Sequence, residues 1–354
     1  MHILHVVGAR PNFMKAAPVR AALGDGQGVR QTMVHTGQHY DVNMSDVFFE
    51  QLGMPAPDVN LGVGSATHAR QTAEIMMGFE HVVEEHRPDL VLVYGDVNST
   101  VAAALVCSKL QIPVGHVEAG LRSGDRSMPE EINRLVTDQL SDLLFTPSAD
   151  GDENLRREGV AEKKIHRVGN VMIDTLVQML PACGAHKPSG LPPRYALVTL
   201  HRPSNVDDLP WLRTLLLALA DLHENLPVVF PVHPRTRQRI ASLEPGALSL
   251  HFMDPQPYLS FLALQRDASV VITDSGGMQE ETSYLGVPCL TLRDNTERPI
   301  TLTLGTNVLV GRDVERMRKE AELVQQAGPR TPQAIPLWDG HAAERIAKII
   351  LSAA

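Results

Sequence analysis

The chain has few cysteines, no long apolar run and no block of basic residues, and each absence argues against a class of protein. Its three cysteines are scattered, and histidine and cysteine never recur at metal-ligand spacing, so we expect neither disulfides nor a metal. No stretch reaches the ~18 apolar residues of a membrane-spanning helix, and residues 1–8 lack the pattern of a secretion signal. We therefore expect a cytoplasmic protein that has no membrane partner.

The charge balance argues against a nucleic-acid partner. The formal net charge is −9, and no cluster of lysine and arginine opposes that average. With 354 residues, of which 43% are hydrophobic and 21% charged, the chain suits two globular domains. An anionic small ligand would need local basic residues.

Short apolar runs alternate with longer stretches of helical period. Strands with continuous apolar sequence are buried on both faces, so this rhythm predicts an α/β fold with two doubly wound parallel sheets of the Rossmann type. The runs lie at residues 3–7, 32–35, 90–94, 114–117, 143–145, 196–200, 228–232, 270–273, 289–292 and 307–310.

A stretch rich in proline, glycine and serine at residues 180–193 breaks this rhythm and is interpreted as an interdomain linker. We expect Rossmann-like domains over residues 1–180 and 181–340, and a C-terminal helix over residues 341–354 that packs back on the first domain. In such folds ligands bind at the carboxyl ends of the strands, so the cleft between the domains is the expected active site.

The turn that follows the run at residues 270–273 is the most informative stretch. Gly276 and Gly277 have no Cβ, and the N–H groups of the helix that follows point at any ligand there, which is typical of a diphosphate site. Glu281 lies one helical turn further on, where its carboxylate can accept hydrogen bonds from a ribose. The alternative is a glycine turn capped by Ser275, as in any α/β protein.

Basic residues follow predicted strands in both halves of the chain. Arg10 and Lys15 follow the first strand without the glycine pattern of a dinucleotide site, so NAD is not indicated. These two residues either bind phosphate or lie on a solvated helix. His201 and His233 each end a strand beside an arginine, which suggests a basic wall facing an anion, although a lone histidine is more often structural.

Carboxylates end two predicted strands of the first half. Asp96 follows the run at residues 90–94, and it either caps the next helix or acts as an acid or base. Glu118 follows the next run, where a buried carboxylate is costly unless it is functional or is paired with Arg122 or Arg126.

Two further charged segments leave alternatives open. Ser127 and Glu130 have the spacing of a capping box, and at most one of Glu130 and Glu131 can face a cleft, because adjacent helical residues point about 100° apart. Glu297 and Arg298 either form an internal ion pair or provide a further phosphate or sugar contact.

Eight motifs, in order along nearly the whole chain, resemble those of the non-hydrolysing UDP-N-acetylglucosamine 2-epimerases. They are Gly8-x-Arg10-Pro-x-x-x-Lys15, Thr36-Gly-Gln-His39, Gly95-Asp96, His116-Val-Glu118-Ala-Gly-Leu-Arg122, Pro129-Glu-Glu-x-Asn-Arg134, His201-Arg202, Asp274-Ser-Gly-Gly-x-Gln-Glu-Glu281 and Thr296-Glu-Arg-Pro299. The resemblance implies a glycosyltransferase-B-like fold, a homodimer, no cofactor and a UDP-sugar substrate. It also implies interconversion of UDP-N-acetylglucosamine and UDP-N-acetylmannosamine through elimination and re-addition of UDP.

The resemblance implies roles for individual residues as well. Asp96, Glu118 and Glu130 match the acid/base cluster of the family, and His201 matches a catalytic residue near the diphosphate. Residues that match UDP-sugar contacts are Arg10, Lys15, Gln38, His233, Phe261, Ser275, Gly276, Gly277, Glu281 and Arg298.

The chain departs from the family pattern at two points. Where many bacterial members read His-Arg-Arg-Glu, this chain reads His201-Arg202-Pro-Ser-Asn205, so a charged neighbour of the histidine is missing. The stretch after Gln38 also lacks the Gln or Glu with which some bacterial members bind a second UDP-N-acetylglucosamine as an activator. We therefore do not expect allosteric activation.

Overall fold

The computed structural model describes residues 1–24, 28–37, 52–243, 250–327 and 334–352. The chain divides into two compact units, which are described separately. The first unit comprises Met1–Leu176 and Pro336–Ala354, and the second comprises Val177–Ile335.

The first unit is built on a seven-stranded sheet in which all strand pairs are parallel. The strands follow the order β3-β2-β1-β4-β5-β6-β7 across the sheet. They are β1 (His2–Val7), β2 (Arg30–His35), β3 (Val59–Asn60), β4 (Leu90–Tyr94), β5 (Val114–Val117), β6 (Leu143–Thr146) and β7 (Ile165–Arg167). The strand order reverses at β1 and β4, which is the topological switch point where such sheets bind ligands.

Helices cover this sheet. Those in the described part of the chain are α1 (Arg10–Leu23), α2 (His68–His86), α3 (Asn98–Lys109), α4 (Pro129–Leu140), α5 (Ala149–Arg157), α6 (Val171–Cys183) and α14 (Ala342–Ser352), with a 3₁₀ turn at Glu162–Lys164. Side chains of β1, β4 and β5 form a core with α2 and α3. Strands buried on both faces explain why these sequences are continuously apolar.

The second unit has a six-stranded sheet of the same kind, in the order β10-β9-β8-β11-β12-β13, with every pair parallel. Its strands are β8 (Ala196–Thr199), β9 (Val228–Pro231), β10 (His251–Met253), β11 (Val270–Thr273), β12 (Cys289–Thr291) and β13 (Asn307–Leu309). The order reverses at β8 and β11. The prediction of two doubly wound parallel sheets is therefore confirmed.

Among the described residues, the helices of the second unit range from four residues to fifteen. They are α7 (Pro203–Val206), α8 (Leu209–His223), α9 (Pro234–Ser242), α10 (Tyr258–Asp267), α11 (Gly276–Leu285), α12 (Ile300–Thr303) and α13 (Val314–Ala327), with a 3₁₀ turn at Gly184–His186. The main core packs β8, β9 and β11 against α8 and α13.

Three strands, β3, β7 and β10, have no counterpart among the apolar runs. They have two or three residues each and lie at sheet edges, where one side of each strand has no partner among the described residues. Such strands carry polar residues and are too short to show a period, so the sequence signal is weak.

The C-terminal helix α14 belongs to the first unit. The carboxylate of Asp174, in the first turn of α6, accepts hydrogen bonds from the N–H groups of Ala342 and Ala343 at 3.1 and 2.7 Å, and so caps α14. Trp338 Nε1 donates to the carbonyl of Pro147 at 2.9 Å. The unit boundary falls within α6, after Leu176, so α6 continues into the segment interpreted as a linker. Among the described residues, no helix is long and apolar enough to cross a membrane.

Candidate active site

Polar residues of the first unit meet where β1, β4 and β5 end. These strands are neighbours, with Val6 opposite Val93 and Tyr94 opposite Val117, so their carboxyl ends share one edge of the sheet. Helix α1 begins at Arg10, directly after β1, and brings the buried Lys15 to this edge. Arg10 is half-buried.

Lys15 and Glu118 form a buried ion pair at this edge, with only 7% and 5% of their side chains exposed. Lys15 therefore does not lie on a solvated helix face. Glu118 pairs with Lys15, whereas the structural alternative had named Arg122 or Arg126 as its partner. Arg122 instead contacts Glu158 and Asp138, at 2.6 and 2.7 Å. The ammonium compensates the charge of a carboxylate that would otherwise be costly to bury.

The backbone beside this pair is tightly constrained. Gly95 has φ 65° and Glu118 has φ 75°. Both values lie in the left-handed region, which residues with a Cβ rarely adopt. A Cβ placed on Gly95 would lie 2.8 Å from Lys15 Nζ and 3.3 Å from Glu118 Oε2. Glycine is therefore required for the pair to approach the turn between β4 and α3.

Asn12, which the sequence reasoning missed, joins two of the strand ends. Its Oδ1 accepts hydrogen bonds from the N–H groups of Gly8 and Ala9, at 3.1 and 2.9 Å, and its Nδ2 donates to the carbonyl of Tyr94 at 2.7 Å. One side chain thus ties the turn after β1 to the end of β4. The sequence around Asn12 gave no sign of its bond to Tyr94, because the two residues are far apart along the chain.

Asp96 lies in the turn after β4, where its carboxylate pairs with Arg134 of α4 and remains 28% exposed. It is not a helix cap, since α3 begins at Asn98 with Val97 at the N-cap position. Arg134 also contacts Glu131 at 2.8 Å. A single buried guanidinium thus links the turn after β4 to helix α4.

The two adjacent glutamates of α4 have different surroundings. Glu131 is buried and accepts hydrogen bonds from the N–H groups of Ser123 and Gly124 at 3.0 and 2.9 Å. Although burial alone would raise the pKa of Glu131, these bonds and Arg134 hold it below its usual value. Glu130 is half-buried, and no hydrogen bond or ion pair of its carboxylate is found among the described residues. The contacts of Glu131 are structural, so Glu130 is the one of the two glutamates that can face a ligand.

The capping-box interpretation of Ser127 and Glu130 is wrong. Helix α4 begins at Pro129 with Met128 at the N-cap position, and the Ser127 hydroxyl donates to Asp125 at 2.6 Å. Asp125 offers the hydroxyl a charged acceptor two residues away, so a local turn forms before the helix starts.

In the second unit, Gly276 and Arg298 lie together at the start of α11. A Cβ on Gly276 would lie 2.6 Å from Arg298 Nη1 and 2.7 Å from Glu297 Oε1, whereas the space around a Cβ on Gly277 is open. Arg298 pairs with Glu297, and its Nε lies 2.8 Å from Glu280 Oε1. The internal ion pair between Glu297 and Arg298, one of the two alternatives, is therefore present, and it lies beside the glycine turn.

Ser275 occupies the N-cap position of α11, but its side chain makes no capping hydrogen bond in the part of the chain that the structure describes. Its N–H donates to the Thr273 hydroxyl at 3.0 Å. Ser275 is therefore not the side-chain cap that the alternative interpretation required. Helix α11 begins three residues after β11 ends, and the N–H groups of its first turn have no partner within the helix.

Glu281 lies one turn into α11, where it is buried and accepts a hydrogen bond of 2.9 Å from the Tyr258 hydroxyl. Burial raises the pKa of Glu281 to about 7, against the lowering effect of Tyr258. Tyr258, which the sequence reasoning missed, begins helix α10, and Phe261 follows on the same helix and packs against the core. The predicted aromatic and the predicted ribose contact thus lie on adjoining helices.

His201 lies beside Asp274 at the switch point of the second sheet. Asp274 follows β11, which pairs with β8, and its carboxylate accepts from the N–H groups of His201 and Arg202 at 3.2 and 3.0 Å and from Asn205 Nδ2 at 3.2 Å. His201 Nδ1 lies 3.0 Å from Asp274 Oδ1, and the His201 side chain is 52% exposed.

Asp274 gives His201 a charged neighbour, although the uncharged segment that follows Arg202 in sequence does not. Although burial would raise the pKa of Asp274, His201, Arg202 and Asn205 hold it below its usual value. The histidine therefore has an ionised partner from β11. His233 follows β9, the next strand in the sheet, and its side chain is exposed.

The structure thus brings the predicted residues together in two groups. Lys15, Asp96 and Glu118 share the edge of the first sheet, and His201, Ser275, Gly276, Glu281 and Arg298 surround the switch point of the second. Gln38 lies outside the described residues. Among the residues that the structure covers, no three His, Cys, Asp or Glu side chains form a group able to hold a metal ion.

The sequence and the fold are similar to those of known epimerases. The sequence model of the family described as UDP-N-acetylglucosamine 2-epimerase matches residues 21–351. The UDP-N-acetylglucosamine 2-epimerase of Methanocaldococcus jannaschii is 40% identical over 364 residues, with 99% of each chain covered. The UDP-2,3-diacetamido-2,3-dideoxy-D-glucuronate 2-epimerase of Pseudomonas aeruginosa is 46% identical over 316 residues, with 88% of each covered.

A crystal structure of the Methanocaldococcus jannaschii enzyme in complex with UDP-GlcNAc and UDP has the same fold. Its TM-score is 0.91 at 40% sequence identity, and the match covers 99% of this chain and 100% of that one. The predicted glycosyltransferase-B-like fold class is thereby confirmed. Because a family model matches most of the residues and relatives match almost the full length, the chain belongs to the UDP-N-acetylglucosamine 2-epimerase family.

Proposed function

We propose that this protein is a non-hydrolysing epimerase that interconverts UDP-N-acetylglucosamine and UDP-N-acetylmannosamine without a cofactor. The observation that carries the proposal is the buried pair of Lys15 and Glu118 at the switch point of the first sheet, beside the Gly95 turn. A buried carboxylate paired with a lysine at a ligand-binding edge is characteristic of an acid/base residue.

The chemistry requires departure of the nucleotide. The hydrogen at C2 of the sugar is not acidic enough for a base alone to remove it at a useful rate. When the bond from C1 to the phosphate oxygen breaks, its electron pair leaves with UDP and positive charge grows on the ring. A base then takes the C2 proton, and the C–H electron pair forms the C1–C2 double bond of 2-acetamidoglucal. UDP adds back to C1 after C2 is protonated on the other face.

Inversion at C2 needs groups that serve both faces of the ring. We assign this work to Glu118, Asp96 and Glu130. Their surroundings support a division of labour: Glu118 is paired with Lys15, Asp96 with Arg134, and Glu130 has no partner among the described residues. An acid and a base of one reaction need different surroundings, and these three carboxylates differ in their partners.

The leaving diphosphate needs hydrogen-bond donors and positive charge. We assign it to the Ser275 hydroxyl, to the N–H groups at Gly276 and Gly277 and to the guanidinium of Arg298. His201, exposed and backed by Asp274, is the proposed acid at the departing phosphate. Further proposed UDP contacts are Arg10, Lys15, Gln38, His233, Phe261 and the ribose-binding Glu281.

A second substrate deserves the same test. The Pseudomonas aeruginosa relative is 46% identical to this chain over 316 residues and is named for a 2,3-diacetamido glucuronate. Its reaction is also an inversion at C2, so the elimination mechanism applies unchanged. The two substrates differ at C3 and C6, away from the reacting bond, which makes the second sugar a specific alternative.

Proton NMR in D2O tests the proposal. We expect UDP-N-acetylglucosamine to give UDP-N-acetylmannosamine with deuterium at C2, with no acceptor present and no accumulation of free N-acetylmannosamine. Free N-acetylmannosamine and UDP as the only products would establish a hydrolysing enzyme. Exchange confined to the diacetamido uronate would establish the second substrate, and binding without exchange of either sugar would reject epimerase activity.

A further inference from the structure

His116 is a buried histidine whose two ring nitrogens both make hydrogen bonds. It lies on β5, two residues before Glu118, and is fully buried. Its Nδ1 lies 2.6 Å from Asp138 Oδ1 and its Nε2 lies 2.8 Å from the carbonyl oxygen of Gly95. Asp138 belongs to α4, and Gly95 directly precedes Asp96.

Both partners of the His116 ring are acceptors. A backbone carbonyl has no hydrogen to donate, so Nε2 must carry one. The other oxygen of Asp138 accepts from the N–H of Gly120 at 3.1 Å and lies 2.7 Å from Arg122 Nη1, so this carboxylate is held ionised. Nδ1 must therefore carry a hydrogen as well.

Two other buried histidines of the same sheet show the contrast. His2 has one nitrogen facing a backbone carbonyl and the other facing the Thr32 hydroxyl. His5 has one nitrogen facing Gln31 Oε1 and the other facing the Tyr94 hydroxyl. A hydroxyl can donate to an unprotonated nitrogen, so a neutral ring satisfies each of them. Of these three histidines, only His116 requires two ring protons.

The Gly95 turn is held to β5 by two bonds. The N–H of Gly95 donates to the carbonyl of Val117 at 3.1 Å, and the carbonyl of Gly95 accepts from His116. Glu118 has a left-handed backbone conformation, which a residue with a Cβ keeps only when surrounding contacts determine it. The same turn carries Asp96.

We propose that His116 is held as an imidazolium between Asp138 and the Gly95 carbonyl, and that this cation positions the turn bearing Asp96 against Glu118. His116 is thus a positioning residue, and its role in turnover rests on the epimerase function proposed above. The charged groups around it are Asp138 of α4, Arg122 after β5, and the pair of Lys15 and Glu118 on the other side of the Gly95 turn. A charge-assisted hydrogen bond is about twice as strong as a neutral one, so the cation holds the turn more firmly than a neutral ring would.

The charge state is tested by ¹⁵N-edited NMR of the histidine rings of the intact protein at pH 8. We expect His116 to show hydrogens on both ring nitrogens, and His2 and His5 to show one each. His116→Gln identifies the two signals by removing them. A single ring hydrogen on His116, with its proton on Asp138 instead, would overturn the proposal, and this result does not depend on enzymatic activity.

The positioning role is tested with Asp138→Asn. The asparagine amide can donate to Nδ1 while its oxygen accepts from Gly120, so the hydrogen-bonded shape is kept and the ring becomes neutral. We expect the ring to lose one hydrogen and kcat for C2 exchange to fall about tenfold, from the weaker bond to Gly95. KM should change less than about twofold, since the nucleotide contacts are untouched.

His2→Gln is the matched control, because it removes a buried, doubly hydrogen-bonded histidine at the opposite end of the strands and should leave kcat unchanged. An Asp138→Asn variant that loses the ring hydrogen but keeps full kcat would refute the positioning role. If the wild-type protein shows no C2 exchange with either UDP-sugar, the proposed function fails, and the ring spectrum still decides the charge state.

Discussion

The buried pair of Lys15 and Glu118 allows a catalytic role of Glu118 to be separated from a structural one. Glu118→Gln removes the proposed acid/base carboxylate and leaves the Lys15 ammonium buried without its counter-ion. We expect the variant to lose C2 exchange. Its affinity for UDP should stay close to that of the wild-type protein, because most of the proposed nucleotide contacts lie in the second unit.

The cost to stability follows from burial. Removing one partner of a buried ion pair costs about 3 to 5 kcal/mol, because the remaining charge stays desolvated. The glutamine oxygen can still accept a hydrogen bond from Lys15, so we expect a loss near the lower end, about 3 kcal/mol. Adding Lys15→Met removes the orphaned charge, and the double variant should return to within about 1 kcal/mol of wild type while exchange stays absent.

Urea unfolding followed by the fluorescence of Trp338 measures this cost in the first unit. The chain has two tryptophans, and the other one, Trp211, lies in the second unit, so a Trp211→Phe background leaves Trp338 as the sole reporter. The matched control is Glu74→Gln, which breaks an exposed ion pair with Arg70 on α2 and should leave the free energy of unfolding unchanged.

Two results would refute this reasoning. A Glu118→Gln variant that is as stable as the Glu74→Gln control would show that the buried pair does not determine the stability of this edge. A double variant that regains both stability and C2 exchange would show that Glu118 does not take part in proton transfer.

Two further predictions concern the second unit. Gly276→Ala should lower both thermal stability and UDP affinity, because the new Cβ displaces the paired Arg298 and Glu297. Gly277→Ala should keep full thermal stability and lose UDP affinity alone, because the space around its Cβ is open. Equal losses of stability in the two variants would contradict this prediction. Burial raises the pKa of Glu281 from 4.5 to about 7, so its protonated form is favoured by folding. The neutral Glu281 carboxyl therefore contributes to the free energy of unfolding below pH 4.5. This contribution, on the order of 3 kcal/mol, is lost as the pH rises through 7. Wild type and Glu281→Gln should therefore differ in the pH dependence of urea unfolding between pH 4.5 and 7, and parallel curves would refute the shift. UDP affinity should rise over the same range if the ionised carboxylate accepts the ribose hydroxyls.

The central strands could be predicted from sequence because burial on both faces makes them continuously apolar. The runs at residues 90–94, 114–117 and 270–273 coincide with β4, β5 and β11. The edge strand β10 could not be found in this way, because only three residues pair and two of them are exposed. Patterning therefore identifies the interior of a doubly wound sheet better than its rim.

The candidate site shows a similar limit. The residue types at strand ends identified Glu118 and Lys15 separately, but the pairing of these two residues, 103 positions apart, depends on the neighbouring strands that bring α1 to β5. Tyr258 and Asn12 were missed for the same reason, since each acts through a bond to a distant segment. The prediction of a capping box was wrong because the Ser127 hydroxyl donates to the nearby Asp125 instead of capping α4.

Positional isotope exchange tests most directly whether UDP leaves during inversion. UDP-N-acetylglucosamine labelled with ¹⁸O in the bond between C1 and the β-phosphate is incubated with the protein in D2O, and phosphorus and proton NMR follow both labels. We expect the ¹⁸O to appear in non-bridging positions of the β-phosphate in molecules that have gained deuterium at C2. Deuterium at C2 with every ¹⁸O atom still in the bridge would contradict elimination of the nucleotide.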